Sequence, residues 1–167
     1  MIIEELNKLS KEKVFEELFK CCGSTQWAQN LTDFKPFKSK EELLRLSDMI
    51  WTSCENEEVL EAFLHHPKIG DIKSLEKKFA STKEWASGEQ AGVNVATHTT
   101  LVALAEGNEA YEKKFGFIFI VCATGKTADE MLALLNTRLK NDADKEFQIA
   151  KAEQNKITHI RLEKLIA

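Results

Sequence analysis

The chain has 167 residues, 43% of them hydrophobic and 30% charged, a balance that suits one globular domain able to bury a proper core. A formal net charge of −4 with no basic block argues against a nucleic-acid binder, and no apolar run is long enough to span a membrane. The start, Met1-Ile2-Ile3-Glu4-Glu5, lacks a basic leader, and Leu165-Ile166-Ala167 is not a peroxisomal signal. With Cys21, Cys22, Cys54 and Cys122 in no paired metal spacing, a cytoplasmic protein with reduced thiols is expected.

Two prolines and seven glycines leave room for long helices. Apolar spacing predicts helices over 2–9 and 11–21, the second closed by Gly23. Ser24 caps a short helix carrying Trp27 and Leu31, broken before Pro36. Ser39-Lys40-Glu41-Glu42 is a capping-box pattern ahead of Leu43, Leu46, Met49 and Ile50. A helix starting near Asn56 stops before Pro67. Ser81-Thr82-Lys83-Glu84 is a second box, and its helix is expected to run to about residue 105. Gly107-Asn108 should interrupt it, with a short helix following as far as Gly116. Thr127-Ala128-Asp129-Glu130 is a third box, opening a helix to about Lys140, and a last helix covers roughly 143–166. With no internal repeat and no linker, the expectation is an all-α, single-domain multi-helix bundle over residues 1–167.

One stretch breaks the pattern. Phe115-Gly116-Phe117-Ile118-Phe119-Ile120-Val121-Cys122-Ala123 is aromatic and β-branched, which favours extended backbone. Gly125-Lys126-Thr127 then invites a phosphate-loop reading, but the first glycine of such a loop would fall on Ile120, so Thr127 is better explained as a helix cap. A single strand in a helical chain has no sheet partner. The segment at about 117–123 is therefore expected to thread through the core, its peptide groups needing partners that a ligand can partly supply.

Chemistry-bearing residues stand at three places. In Leu64-His65-His66-Pro67-Lys68-Ile69-Gly70-Asp71, Pro67 pushes the backbone of His66 out of the α region and Gly70 permits a turn. A histidine fixed on such a corner suits proton transfer. The plainer alternative is that both imidazoles cap a helix C-terminus. A metal site built from His65, His66 and Asp71 is disfavoured, because adjacent histidines cannot chelate as an i, i+4 helical pair. Trp85, Glu89 and Val93 share one helix face, as do Ile157, Arg161 and Leu165, so Glu89 and Arg161 both lie on apolar stripes. Either they form a structural ion pair, or the arginine snorkels, or they serve as a carboxylate and an anion clamp beside His66.

Taken together, His66-Pro67-Lys68-Ile69-Gly70-Asp71, Glu89-Gln90-Ala91-Gly92, the 115–123 run and Arg161-Leu162 resemble the motif series of the OHCU decarboxylase family. OHCU is 2-oxo-4-hydroxy-4-carboxy-5-ureidoimidazoline. The resemblance covers nearly the whole chain in order and approximate spacing. It implies an all-helical, cofactor-free and metal-free enzyme, typically a homodimer, performing the last step of urate degradation in purine catabolism and yielding S-allantoin. By the same resemblance His66, Glu89 and Arg161 match catalytic positions. Pro67, Gln90 and the backbone of Phe119, Ile120, Val121, Cys122 and Ala123 match substrate-contact positions. Three departures stand out. The family's serine three before the glutamate falls on Ala86, with Ser87 one place later as its possible substitute. The proline of the aromatic run is Ile118, and the arginine after the Cys-Ala pair is Thr124. The alternative is a catalytically weakened ligand-binding or scaffold protein of the same fold.

Overall fold

The computed structural model describes residues 1–66, 72–79 and 91–167. Among the described residues there are nine helices and no strand. They are α1 (Ile3–Lys8), α2 (Lys11–Cys22), α3 (Thr25–Asp33), α4 (Lys40–Ser53), α5 (Asn56–Leu64), α6 (Ile72–Phe79), α7 (Ala91–Phe115), α8 (Ala128–Arg138) and α9 (Ala143–Leu165). The all-α expectation is met. The chain divides into two compact units, Met1–His66 with Ile149–Ala167, and Pro67–Gln148.

In the first unit, short polar side chains set where helices begin. Ser10 Oγ accepts from the Lys13 amide, Ser24 Oγ from Trp27 and Ser39 Oγ from Glu42, so each meets a backbone donor that the helix itself leaves unpaired. The Ser39 box is only half formed, because the Glu42 carboxylate accepts from the Lys38 amide, one residue earlier (2.6 Å). Gly23 ends α2 in the left-handed conformation (φ 84°), its amide donating to Phe19 O at 2.7 Å. Helix α3 packs against α2, α4 and α5. Val14, Leu18, Trp27, Leu31, Leu43 and Val59 are fully buried there. Each such side chain contributes about 1.5–3 kcal/mol by leaving water. The Trp27 indole N–H donates to Ser47 O (3.2 Å), which satisfies its one polar atom.

In the second unit, α6 and α8 both pack on α7, around Leu75, Leu101, Leu104, Tyr111, Met131 and Leu135. The sequence reading and the structure differ at two points here. Helix α6 stands where the sequence reading predicts no helix. Gly107-Asn108 also does not interrupt a helix, since α7 runs unbroken from Ala91 to Phe115. The reason is packing: a Cβ on Gly107 would lie 2.5 Å from Leu135 Cδ2, so the glycine lets α8 approach instead of breaking α7. Gly116 (φ 80°) does end the helix, as expected. The Thr127 box is complete, with Thr127 Oγ1 accepting from the Glu130 amide (3.2 Å) and the Glu130 carboxylate from the Thr127 amide (3.3 Å). The box at Ser81 lies outside the described residues.

Candidate functional site

Helix α5 closes with a tight turn, in which the His65 amide donates to Ala62 O and the His66 amide to Phe63 O, both at 3.2 Å. The two imidazoles then diverge. His65 is exposed and folds back, with Nδ1 donating to Glu61 O (3.0 Å) and its ring edge-on to Phe19 (centroids 4.8 Å, 84°). It also lies against Gly23, where an added Cβ would come within 2.6 Å of His65 Cβ. His66 is half-buried, and its Nε2 donates to Gln154 Oε1. Gln154 has no solvent exposure, and its Nε2 donates to Thr158 Oγ1 at 3.2 Å. Thr158 and the Ser24 amide hydrogen-bond in turn to Cys22, whose thiol burial pushes up to about 12.

Ala150, Gln154, Thr158 and Leu162 form the buried stripe of α9, in steps of four residues that Ile166 continues just past its end. This corrects the sequence reading of the last helix. Ile157, Arg161 and Leu165 are a half-buried flank, not the centre of the stripe. The Arg161 guanidinium donates through Nη1 to Cys21 O (3.3 Å), a carbonyl in the last turn of α2, where the helix dipole favours a cation. Burial pushes the Cys21 thiol up to about 11 in spite of Arg161 nearby. Among the described residues no carboxylate pairs with Arg161. Pro67, Ala86, Ser87, Glu89 and Gln90 lie outside the described residues.

Phe119 to Ala123 belong to the second unit and are neither helix nor strand. Ile120 and Cys122 are buried, while Phe119, Val121 and Ala123 are half-buried against the core of that unit. The partner that the segment needs comes from a side chain. Arg138 donates through Nη1 to Ile120 O (2.5 Å) and through Nε to Glu146 Oε1 (2.5 Å), and its guanidinium lies 4.6 Å from the Phe119 ring centre. Tyr111 also donates to Glu146 Oε1 (2.5 Å), and Asn141 Nδ2 donates to Glu146 Oε2 (3.0 Å). Burial and the Glu146 carboxylate raise the Tyr111 phenol well above its ordinary value. Lys126 Nζ takes the Cys122 carbonyl at 2.7 Å. Sequence reasoning missed Arg138, although a signal existed: Met131, Leu135 and Arg138 are spaced i, i+4, i+7 on one helix face, as at Glu89 and Arg161.

The described residues hold no group of three or more His, Cys, Asp or Glu placed to bind a metal ion. None of their helices is long and apolar enough to cross a membrane.

Residues 7–163 match the family model described as OHCU decarboxylase. The Arabidopsis thaliana uric acid degradation bifunctional protein TTL is 37% identical over 147 residues, 88% of this chain and 45% of that protein. A 2-oxo-4-hydroxy-4-carboxy-5-ureidoimidazoline decarboxylase of Haloferax volcanii is 24% identical over 163 residues, 97% of this chain and 94% of its own length. A crystal structure of OHCU decarboxylase in the presence of (S)-allantoin superposes with a TM-score of 0.73 at 38% identity, covering 90% of this chain and 97% of that one. The chain spans between 32% and 45% of the length of the bifunctional relatives it matches.

Proposed function

Because this chain belongs to the OHCU decarboxylase family, we propose that it removes carbon dioxide from 2-oxo-4-hydroxy-4-carboxy-5-ureidoimidazoline to give S-allantoin, without metal or organic cofactor. The observation that carries this reading is the family match over residues 7–163, which includes every candidate catalytic position. We propose His66, Glu89 and Arg161 as the catalytic residues. Pro67, Gln90 and the backbone of Phe119 to Ala123 are proposed as substrate contacts, with Ser87 standing in for the serine that Ala86 replaces. A homodimer in the cytoplasm is part of the same proposal, supported by the family resemblance and by four free cysteines.

The substrate carries its own electron sink. As the bond to the carboxylate breaks, its electron pair forms a double bond to the adjacent ring carbon, and the C=N pair moves onto nitrogen. The hydroxyl then collapses to a carbonyl, and a proton is delivered to the former imine carbon. No pyridoxal or thiamine is needed for such a step. The protein must orient the carboxylate out of the ring plane, offset the developing charge and protonate one face. His66 supplies that proton transfer, being half-buried and anchored through Nε2. Glu89 orients the ring or polarises the substrate hydroxyl, and Arg161, whose fork suits a carboxylate or an imide edge, holds the oxygen-rich side.

The test is to supply freshly generated OHCU and follow the circular dichroism of the product. Growth of the S-allantoin signal faster than the spontaneous reaction, undiminished after exhaustive chelation, is the expected result. A rate equal to the uncatalysed one would leave the binding or scaffold reading. Activity lost with stoichiometric bound zinc would overturn the cofactor-free mechanism.

A further inference from the structure

We infer that Gln154 is a positioning residue for this reaction: it fixes the neutral His66 imidazole as the Nε2–H tautomer and so makes Nδ1 the nitrogen that exchanges protons with substrate. The inference rests on the decarboxylase reading for its catalytic half only.

The two nitrogens of an imidazole are chemically distinct, and the hydrogen bond made by one decides which of them is basic. His66 Nε2 faces Gln154 Oε1, an atom that can only accept. An amide could also present its NH2 group, so something must orient Gln154 itself. Its Nε2 donates to Thr158 Oγ1 (3.2 Å), and Thr158 and the Ser24 amide hydrogen-bond in turn to Cys22. Thr158 Oγ1 accepts from the Gln154 NH2 group, which leaves Oε1 for the imidazole. The His66 and Gln154 donors therefore point the same way, toward Thr158. Exposures of 0% at Gln154 and 1% at Thr158 and Cys22 mean that water cannot take over any of these bonds. Reversing the tautomer would leave two acceptors facing each other in a dry site, which disfavours it by about tenfold or more.

The test uses protein labelled with 15N at histidine, with the ring nitrogens read by multiple-bond 1H–15N correlation above pH 8. The His66 signals are assigned by their disappearance in His66→Asn. Expected is an Nε2–H pattern for His66 in the wild type. Gln154→Leu should mix the tautomers and lower kcat by about tenfold to a hundredfold with little change in KM, less than the full worth of a general acid–base group. Gln154→Glu should keep the Nε2–H form, raise the His66 pKa and shift the acidic limb of the pH–rate profile upward. An Nδ1–H wild type would overturn the inference, as would Gln154→Leu retaining both the tautomer and kcat. If Gln154→Leu does not fold, the wild-type spectrum and Gln154→Glu decide alone. Wild type without decarboxylation would sink the proposed function, while the tautomer would still be read independently.

Discussion

At the scale of single residues, His65 and His66 are neighbours with different tasks. His65 is tied to its own helix and to Phe19, so it closes α5; His66 is anchored to a buried amide on α9. His66→Asn should keep the fold and lower turnover by about two orders of magnitude or more, while His65→Asn should lower it far less. Steady-state kinetics beside thermal unfolding checks this, and equal losses at both positions would count against the assignment. His66 was legible in the sequence because a following proline and a nearby glycine mark a corner. Its support was not. Gln154 and Thr158 are polar types, and pattern reading assigns polar types to solvent, whereas here they occupy the centre of a buried stripe. That choice displaced the stripe toward Arg161. Only the mutual satisfaction of side chains distant in sequence reveals such an arrangement.

At the scale of elements, helix starts were the most legible feature, since Ser24, Ser39 and Thr127 each do locally what their chemistry predicts. Gly107 misled because a glycine serves a break and a close approach equally well, and Leu135, which decides between them, lies 28 positions further along. The segment at 117–123 was recognisable from its β-branched and aromatic content, but its partner was not. Arg138 supplies it, and the two arginines should respond differently to truncation. Arg138→Gln removes one member of a pair with side-chain exposures of 7% and 0%, leaving Glu146 uncompensated, and should cost roughly 3–5 kcal/mol. Arg161→Gln removes a half-buried group bonded to a carbonyl, and should cost about 1 kcal/mol while abolishing most turnover. Denaturant unfolding and kinetics on the same preparations separate the two. Near-normal turnover in a strongly destabilised Arg161→Gln would place that arginine in the scaffold, outside the chemistry.

At the scale of the whole molecule, three buried thiols link stability to alkali. Burial pushes Cys21 up to about 11, and Cys22 and Cys54 up to about 12, from an ordinary value of 9.0. The folded protein therefore holds these protons more tightly than the unfolded chain does. Their contribution is complete below about pH 9 and is lost as pH rises through 11 to 12. The unfolding midpoint should fall across that window, and Cys22→Ala should flatten the fall relative to its own value at neutral pH. A slope unchanged in Cys22→Ala would remove that thiol from the account.

The turn at Gly23 depends on an atom that is absent. A methyl group there would press on the residue immediately before His66, in a backbone conformation that side chains already resist. Position 23 carries no functional group, yet in a scan of random variants it would score beside the chemical residues. If His66 has the role proposed for it, part of its aim is set by a side chain left off at Gly23 so that His65 can take the place.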